Sequence, residues 1–222
     1  MAKYIRRVLI VVVIVLGIFT AFQFKNYQKK IEIRDDAMLY FEEHDYKKAI
    51  SYLEEGRKHM TIFDGGLDLD MTSYLAESYY QLGDYESSLK VCNEILDKNS
   101  NNQNIYLLKG ENYLAMDDTE TAVSTYKDGW KNTKSFTFLE KICDSYMDNG
   151  DFEQALKYAK EGAESSGKNA AEFLFKEIVI YENANDYASA YENAEKYVEL
   201  YPEDERGIKE LKFLTTRITD KK

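Results

Sequence analysis

The sequence predicts an all-α protein: a stack of helical hairpins with a transmembrane helix before it and a capping helix after it. Three observations lead to this fold class. The 222 residues contain 11 Gly and a single Pro, fewer turn-forming residues than strand-rich proteins usually need. An uncharged apolar run lies near the start of the sequence. Further on, a helix–turn–helix pattern centred on an Asp recurs five times.

The apolar run covers residues 8–24, "VLIVVVIVLGIFTAFQF". As a helix, these 17 residues would extend about 25 Å, enough to cross a bilayer with slight thinning. A short basic tail, residues 1–7, precedes the run, and a basic segment, residues 25–30, follows it. A cleaved signal peptide is the alternative, but no pair of small residues marks a cleavage site. We therefore predict an uncleaved, single-pass signal anchor.

The charges beside the run bear on its orientation in the cell membrane. Three basic residues lie before it and four soon after it, which is close to a tie under the positive-inside rule. The short tail favours a cytoplasmic start and an extracytoplasmic repeat domain. Residues 18–55 contain neither Gly nor Pro, so the anchor helix is expected to continue as a stiff stalk through residues 25–30.

The net charge excludes one class of partner. The whole chain carries −11, and residues 1–34 contribute +6, so residues 35–222 carry −17. A segment with this much negative charge repels the phosphates of DNA and RNA. We therefore predict no nucleic-acid partner.

Five segments align without gaps within residues 31–202 and define the repeat. Each has a central Asp, a Tyr five residues earlier and a small residue four residues later. The Asp residues are Asp45, Asp84, Asp118, Asp151 and Asp186; the Tyr residues are Tyr40, Tyr79, Tyr113, Tyr146 and Tyr181; the small residues are Ala49, Ser88, Ala122, Ala155 and Ala190. The steps between successive Asp residues are 39, 34, 33 and 35 residues.

Each part of the repeat has a physical role. Glycine before the Asp, as at Gly83 and Gly150, readily takes the left-handed conformation that ends a helix. The Asp then accepts hydrogen bonds from free amides at the start of the second helix. The small residue allows close helix packing, and the Tyr packs at the seam while its hydroxyl finds a partner. One hairpin cannot bury its own apolar face, so the hairpins are expected to stack.

The pattern resembles the tetratricopeptide repeat, W-x2-L-G-x2-Y…A-x3-F…P. The third segment matches it at Tyr106, Gly110, Tyr113, Ala122 and Tyr126. The last segment keeps the closing proline, Pro202, whereas the first has Ile33, Asp36 and Ala37 in the early positions. The resemblance implies a right-handed superhelix, an α-solenoid. The chain as a whole resembles bacterial proteins with an N-terminal anchor and a repeat array.

Residues 203–222 are expected to form the capping helix and a tail. Pro202 is suited to the first turn of that helix. The apolar stripe expected to cover the end of the stack consists of Ile208, Leu211, Leu214 and Ile218.

Candidate chemical sites are few, and we predict no enzyme, cofactor or metal. Cys92 and Cys143 fall at packing positions, so buried, inert thiols are expected. His44 and His59 lack metal-ligand spacing and are expected on the surface. The extra length of the first step, residues 63–71, predicts a flexible loop. Its acids also suggest a calcium loop, but Leu69 and Leu75 stand where that motif needs Gly and Glu.

The resemblance implies that a groove lined by the first helices binds a protein or peptide partner. The positions that map to it are Met38, Phe41, Glu77, Tyr80, Leu107, Glu111, Leu114, Glu140, Asp144, Met147, Phe175 and Val179. This mixture suits a partner with apolar anchors and basic flanks. The alternative is that many of these residues pack between hairpins. The carboxylate clamp of chaperone-binding relatives is absent, since only Arg34 among its positions is basic.

The resulting functional hypothesis is a membrane-anchored scaffold or adaptor. A regulator or sensor that responds to a small ligand or short peptide is the alternative.

Overall fold

The computed structural model describes residues 1–59, 61–63, 66–165, 167 and 169–219. Within them every regular element is an α-helix, which confirms the predicted all-α class. The helices are α1 (Ala2–Glu42), α2 (Tyr46–Arg57), α3 (Leu67–Gln81), α4 (Tyr85–Lys98), α5 (Gln103–Ala115), α6 (Thr119–Thr133), α7 (Thr137–Asp148), α8 (Phe152–Glu164), α9 (Ala170–Asn183), α10 (Tyr187–Leu200) and α11 (Glu205–Thr219). The chain divides into two compact units, Met1–Ser100 and Asn101–Lys222.

The helices pair into hairpins, in the order that the repeat predicts. In the first compact unit the hairpins are α1–α2 and α3–α4, and α2 also packs against α3. In the second, the hairpins are α5–α6, α7–α8 and α9–α10, and each second helix packs against the helix that follows it. The core of each unit therefore lies between successive hairpins, with α11 against α10.

One turn structure recurs in all five hairpins. A residue with positive φ closes each first helix, and these residues are His44, Gly83, Asp117, Gly150 and Asn185. The repeated Asp follows it, and its N–H donates to the carbonyl of the repeated Tyr at 2.8–3.0 Å. Its side chain accepts a hydrogen bond from the backbone N–H three residues later. Each Asp therefore helps to end one helix and caps the next.

The caps give a direct stability prediction. Asp84→Ala removes the acceptor that lies 3.2 Å from the Ser87 N–H, so we expect the free energy of unfolding to fall by about 1 kcal/mol. Urea unfolding measures this change. Asp97→Ala is the matched control, because it removes an exposed acid from the same helix without removing a cap. An equal loss in both variants would contradict the capping role.

The repeated small residue also behaves as predicted, and the repeated Tyr is partly buried. All five small residues are buried, and the Ser88 hydroxyl donates to the Ala76 carbonyl at 2.9 Å. The repeated Tyr residues are all half-buried. The Tyr146 ring stacks on Tyr158 with 5.8 Å between centroids.

The capping helix differs from the prediction in two respects. It begins at Glu205, so Pro202 lies in the preceding turn and not in the first turn of the helix. Ile208 is 46% exposed and lies outside the packed stripe. The reason is Gly207, whose Cα lies against the ring of Tyr197, so that the packed face runs through Gly207, Leu211 and Leu214. Residues 220–222 of the predicted tail lie outside the described residues.

Candidate functional site

The first feature of functional interest is the exposed apolar half of α1. This helix continues unbroken from Ala2 to Glu42, as the lack of Gly and Pro in residues 18–55 indicates. Its most apolar window of 18 residues has a mean hydropathy of 2.4, and none of that window is buried in the folded chain. By length and composition the helix is able to cross a membrane, a property that signal sequences share.

The second feature is the set of twelve groove positions, which we call the first-helix face. All twelve lie on the first helix of a hairpin, and all are half-buried. In the first compact unit they are Met38 and Phe41 of α1 and Glu77 and Tyr80 of α3. In the second they are Leu107, Glu111 and Leu114 of α5, Glu140, Asp144 and Met147 of α7, and Phe175 and Val179 of α9.

In the first compact unit, the face is aromatic. The Phe41 ring meets Tyr74 of α3 edge-on, with 5.2 Å between centroids, and Tyr46 of α2 at 5.4 Å. Tyr80 meets Tyr85 at 5.8 Å. Phe41 therefore joins three helices, while part of its surface remains accessible to a partner.

In the second compact unit, two of the apolar positions also contribute to packing. Met147 contacts the buried cluster that includes Cys143 and Ala155. Phe175 lies 5.5 Å from the ring of Tyr197 and 5.1 Å from the Arg206 guanidinium. For these two residues the structure supports a packing role, alongside any contact with a partner.

In the second unit a ladder of ion pairs links α5 to α7, α7 to α9 and α9 to α11, and its acids are Glu111 and Asp144 of the face together with Glu172. Glu111 of α5 pairs with Lys141 of α7 at 3.2 Å. Asp144 of α7 pairs with Lys176 of α9 at 2.5 Å. Glu172 of α9 pairs with Arg206 of α11, whose two terminal nitrogens each lie 2.9 Å from a carboxylate oxygen.

The basic members of this ladder were not predicted from the sequence. Lys141, Lys176 and Arg206 follow their acids by 30, 32 and 34 residues, close to the repeat period. A search for opposite charges separated by about one repeat would have found them. The pairing means that Glu111 and Asp144 do not present free negative charge to a partner.

Glu140 makes no ion pair with the described residues, unlike the other two acids of the face in the second unit. Its pKa is raised, mainly because burial disfavours the charged form, while the nearby Lys176 acts in the opposite direction. Glu77 differs, since it accepts a hydrogen bond from Gln81 at 2.8 Å. Glu140 is therefore the position in the second unit where a basic group of a partner would gain most.

A pair of acids close to this face makes the stability of the second unit depend on pH. Burial, and then the hydrogen bond and charge of Glu210, raise the pKa of Glu182 from 4.5 to about 7. Between these two values the folded chain holds a proton that the unfolded chain has lost. The free energy of unfolding therefore falls as pH rises through this window.

Glu182→Gln is expected to remove this loss of stability at high pH, because the amide carries no charge and can still donate a hydrogen bond to Glu210. We expect a higher thermal midpoint than wild type at pH 8 and no gain at pH 4.5, measured by circular dichroism. Glu199→Gln, at an exposed acid of α10, is the matched control. A gain of equal size at both pH values would contradict the role of ionisation.

The structure buries the two cysteines and gives each histidine a side-chain neighbour. Both cysteines are buried and are not joined by a disulfide, as predicted. Burial raises the pKa of Cys143 to about 12, so its thiol stays protonated and is not nucleophilic. Nδ1 of His44 lies 2.8 Å from the Tyr46 hydroxyl, and His59 lies 3.9 Å from Glu55.

The acids that follow the first hairpin form ion pairs that join α3 to α1. Asp68 pairs with the buried Lys30, and Asp70 lies 3.6 Å from Arg34. Both acids stand in the first turn of α3, not in a loop. Asp64, where the hypothetical calcium loop would begin, lies outside the described residues.

Comparisons with known proteins agree with this architecture. The profile of the tetratricopeptide repeat family matches residues 35–103 and 142–205. The TPR repeat-containing protein YpiA of Bacillus subtilis is 26% identical over an alignment of 169 residues that covers 72% of this chain and 38% of YpiA. The chain thus spans about two fifths of the length of this relative.

Solved structures share the fold at low sequence identity. A tetratricopeptide repeat protein from Parabacteroides merdae is 14% identical, with a TM-score of 0.61 over 86% of this chain and 74% of its own. YrrB, described as a TPR protein with an unusual peptide-binding site, is 12% identical, with a TM-score of 0.53 over 86% of this chain and 95% of its own.

Proposed function

We infer a function from one premise: this chain belongs to the tetratricopeptide repeat family. The fold is a scaffold for protein–protein interaction. We propose that this chain is a membrane-anchored scaffold or adaptor that docks a partner protein or peptide on the first-helix face.

The observation that carries this proposal is the half-burial of all twelve positions on that face. Half-buried apolar side chains are held in place by their neighbours and still offer surface to a ligand. Anchors of this kind provide most of the binding energy in peptide-binding grooves. The proposed anchors are Leu107 and Leu114 in the second compact unit and, separately, Tyr80 in the first.

The exposed apolar half of α1 supports the membrane part of the proposal. Its side chains include Val8, Leu16 and Phe22, all exposed in the folded chain. A run of this length exposed to water would be strongly unfavourable, whereas bilayer hydrocarbon accommodates it. We propose residues 8–24 as a single-pass anchor, with the repeats on the extracytoplasmic side.

The ion-pair ladder refines the expected partner. Because Glu111 and Asp144 are neutralised by lysines of neighbouring helices, we propose that Glu140 receives a basic residue that flanks the partner's apolar anchors. Removing an acid of the ladder would also disturb packing between hairpins, so Glu140 gives the cleaner test.

The test uses peptides selected by phage display against the full-length protein in nanodiscs. We expect the selected peptides to combine apolar and basic residues. Glu140→Lys should weaken their binding about tenfold, or about 1.4 kcal/mol, by isothermal titration calorimetry. Glu153→Lys, at an exposed acid of the second helix α8, makes the same charge change away from the face and should leave the dissociation constant unchanged.

Equal affinity of wild type and Glu140→Lys would contradict the proposed role of Glu140. The docking proposal itself would fail if Leu107→Ala and Leu114→Ala also left the affinity unchanged, because the peptide would then bind elsewhere.

A further inference from the structure

The connection between α2 and α3 reaches the apolar end of α1. The Ile62 N–H donates to Oε1 of Gln23 at 3.0 Å. The Thr61 hydroxyl donates to the Gln23 carbonyl at 3.3 Å and accepts from the Phe63 N–H at 3.1 Å. Residues 61–63, which we call the α2–α3 tip, are therefore fixed beside Gln23.

The side chains at this tip are apolar and exposed. Ile62 is 65% exposed and Phe63 is 41% exposed. On α1, the exposed Phe22 and Phe24 flank Gln23. Because a helix rises 1.5 Å per residue, the hydrogen bonds of the tip reach α1 within about one turn of the last apolar residues of the run.

Phe63 of the tip is also the first residue of the segment that makes the first repeat step long. That step is 39 residues, whereas the others are 33 to 35. Thr61 and Ile62, directly before this added length, contact α1 at the level where the proposed membrane span ends. Lys25 and Lys29 follow at once along α1, as basic residues commonly do at a membrane surface.

We propose that the α2–α3 tip is a second membrane contact, in which Ile62 and Phe63 enter the interfacial layer of the bilayer beside the anchor. The tip contacts lipid, because it continues the exposed apolar surface of α1 at the depth of the last apolar residues of the span. Aromatic and aliphatic side chains at this depth gain from leaving water. The contact holds the first hairpin against the membrane. This inference rests on the proposed anchor.

The experiment measures the quenching of single-tryptophan variants of the full-length chain in nanodiscs of brominated and plain phosphatidylcholine. The native tryptophan is removed by Trp130→Phe in every variant. Phe63→Trp and Ile62→Trp report on the tip, and Phe22→Trp reports on the span. Leu39→Trp is the control, because Leu39 is exposed on the same helix about 24 Å beyond Gln23.

We expect the brominated lipid to quench both tip reporters and the span reporter, with blue-shifted emission, and to leave Leu39→Trp unquenched. Quenching of Phe22→Trp without quenching of either tip reporter would overturn the tip contact and leave the anchor intact. An unquenched Phe22→Trp would overturn the anchor and the tip contact together. A tip reporter that is blue-shifted only at high protein density, without lipid quenching, would assign the tip to a second copy of the chain.

Discussion

Arginine at both Val13 and Leu16 is expected to release the protein from membranes. Each arginine at the centre of an apolar helix costs roughly 3 kcal/mol on insertion scales, and the favourable term of the residue that it replaces is also lost. Two such changes should remove the preference of α1 for the bilayer. The measurement is the fraction of protein that stays with membranes after alkaline carbonate extraction.

The control for this variant places arginine at Leu39 and Leu82. Both are exposed apolar side chains in the first compact unit and lie outside residues 8–24. The change in charge is the same, and the protein should stay in the membrane fraction. If the Val13 and Leu16 variant also resists extraction, residues 8–24 are not the anchor.

Phe173→Ala is expected to lower the free energy of unfolding by about 3–5 kcal/mol. The Phe173 ring is fully buried, and it packs on the backbone of Gly162 in α8. Truncation would leave a cavity between the fourth and fifth hairpins, where one hairpin depends on the next for its core. Urea unfolding of the full-length protein in detergent measures the loss.

Adding a methyl group at Gly162, instead of removing the Phe173 ring, tests how closely these two residues pack. A methyl group at Gly162 would lie 2.4 Å from Cγ of Phe173. We therefore expect Gly162→Ala to destabilise the protein by about 1–3 kcal/mol, although alanine is the better helix former by about 1 kcal/mol. Combining Gly162→Ala with Phe173→Leu should cost less than the two separate losses together. If the losses in the free energy of unfolding were strictly additive, residues 162 and 173 would not be coupled through this contact.

The sequence predicted the features that depend on a few neighbouring residues. The cap by Asp84 and the left-handed Gly83 involve hydrogen bonds within one turn, so a local motif is enough to identify them. The motif also tolerated substitutions, since His44 and Asp117 take the same left-handed conformation. A non-glycine residue there has a modest cost that the two hydrogen bonds of the turn can offset.

Features that depend on how hairpins meet were harder to predict. The pairing of Glu111 with Lys141 joins residues 30 positions apart, and a helical wheel of either helix alone does not show it. The position of Gly207 against Tyr197 likewise shifts the packed face of α11 away from Ile208. The twelve positions of the first-helix face followed from register within each repeat.

We propose that the membrane-anchored chain docks its partner on the first-helix face. The most direct test places a photo-crosslinking amino acid in the full-length protein in nanodiscs and adds a labelled, phage-selected peptide. The positions are Leu114 on α5, Tyr80 on α3 and, as a control on the second helix α6, the exposed Ser124. We predict crosslinks from Leu114 or Tyr80 that excess unlabelled peptide abolishes, and none from Ser124. Crosslinks from Ser124 alone, or equal crosslinks from all three positions, would contradict the account.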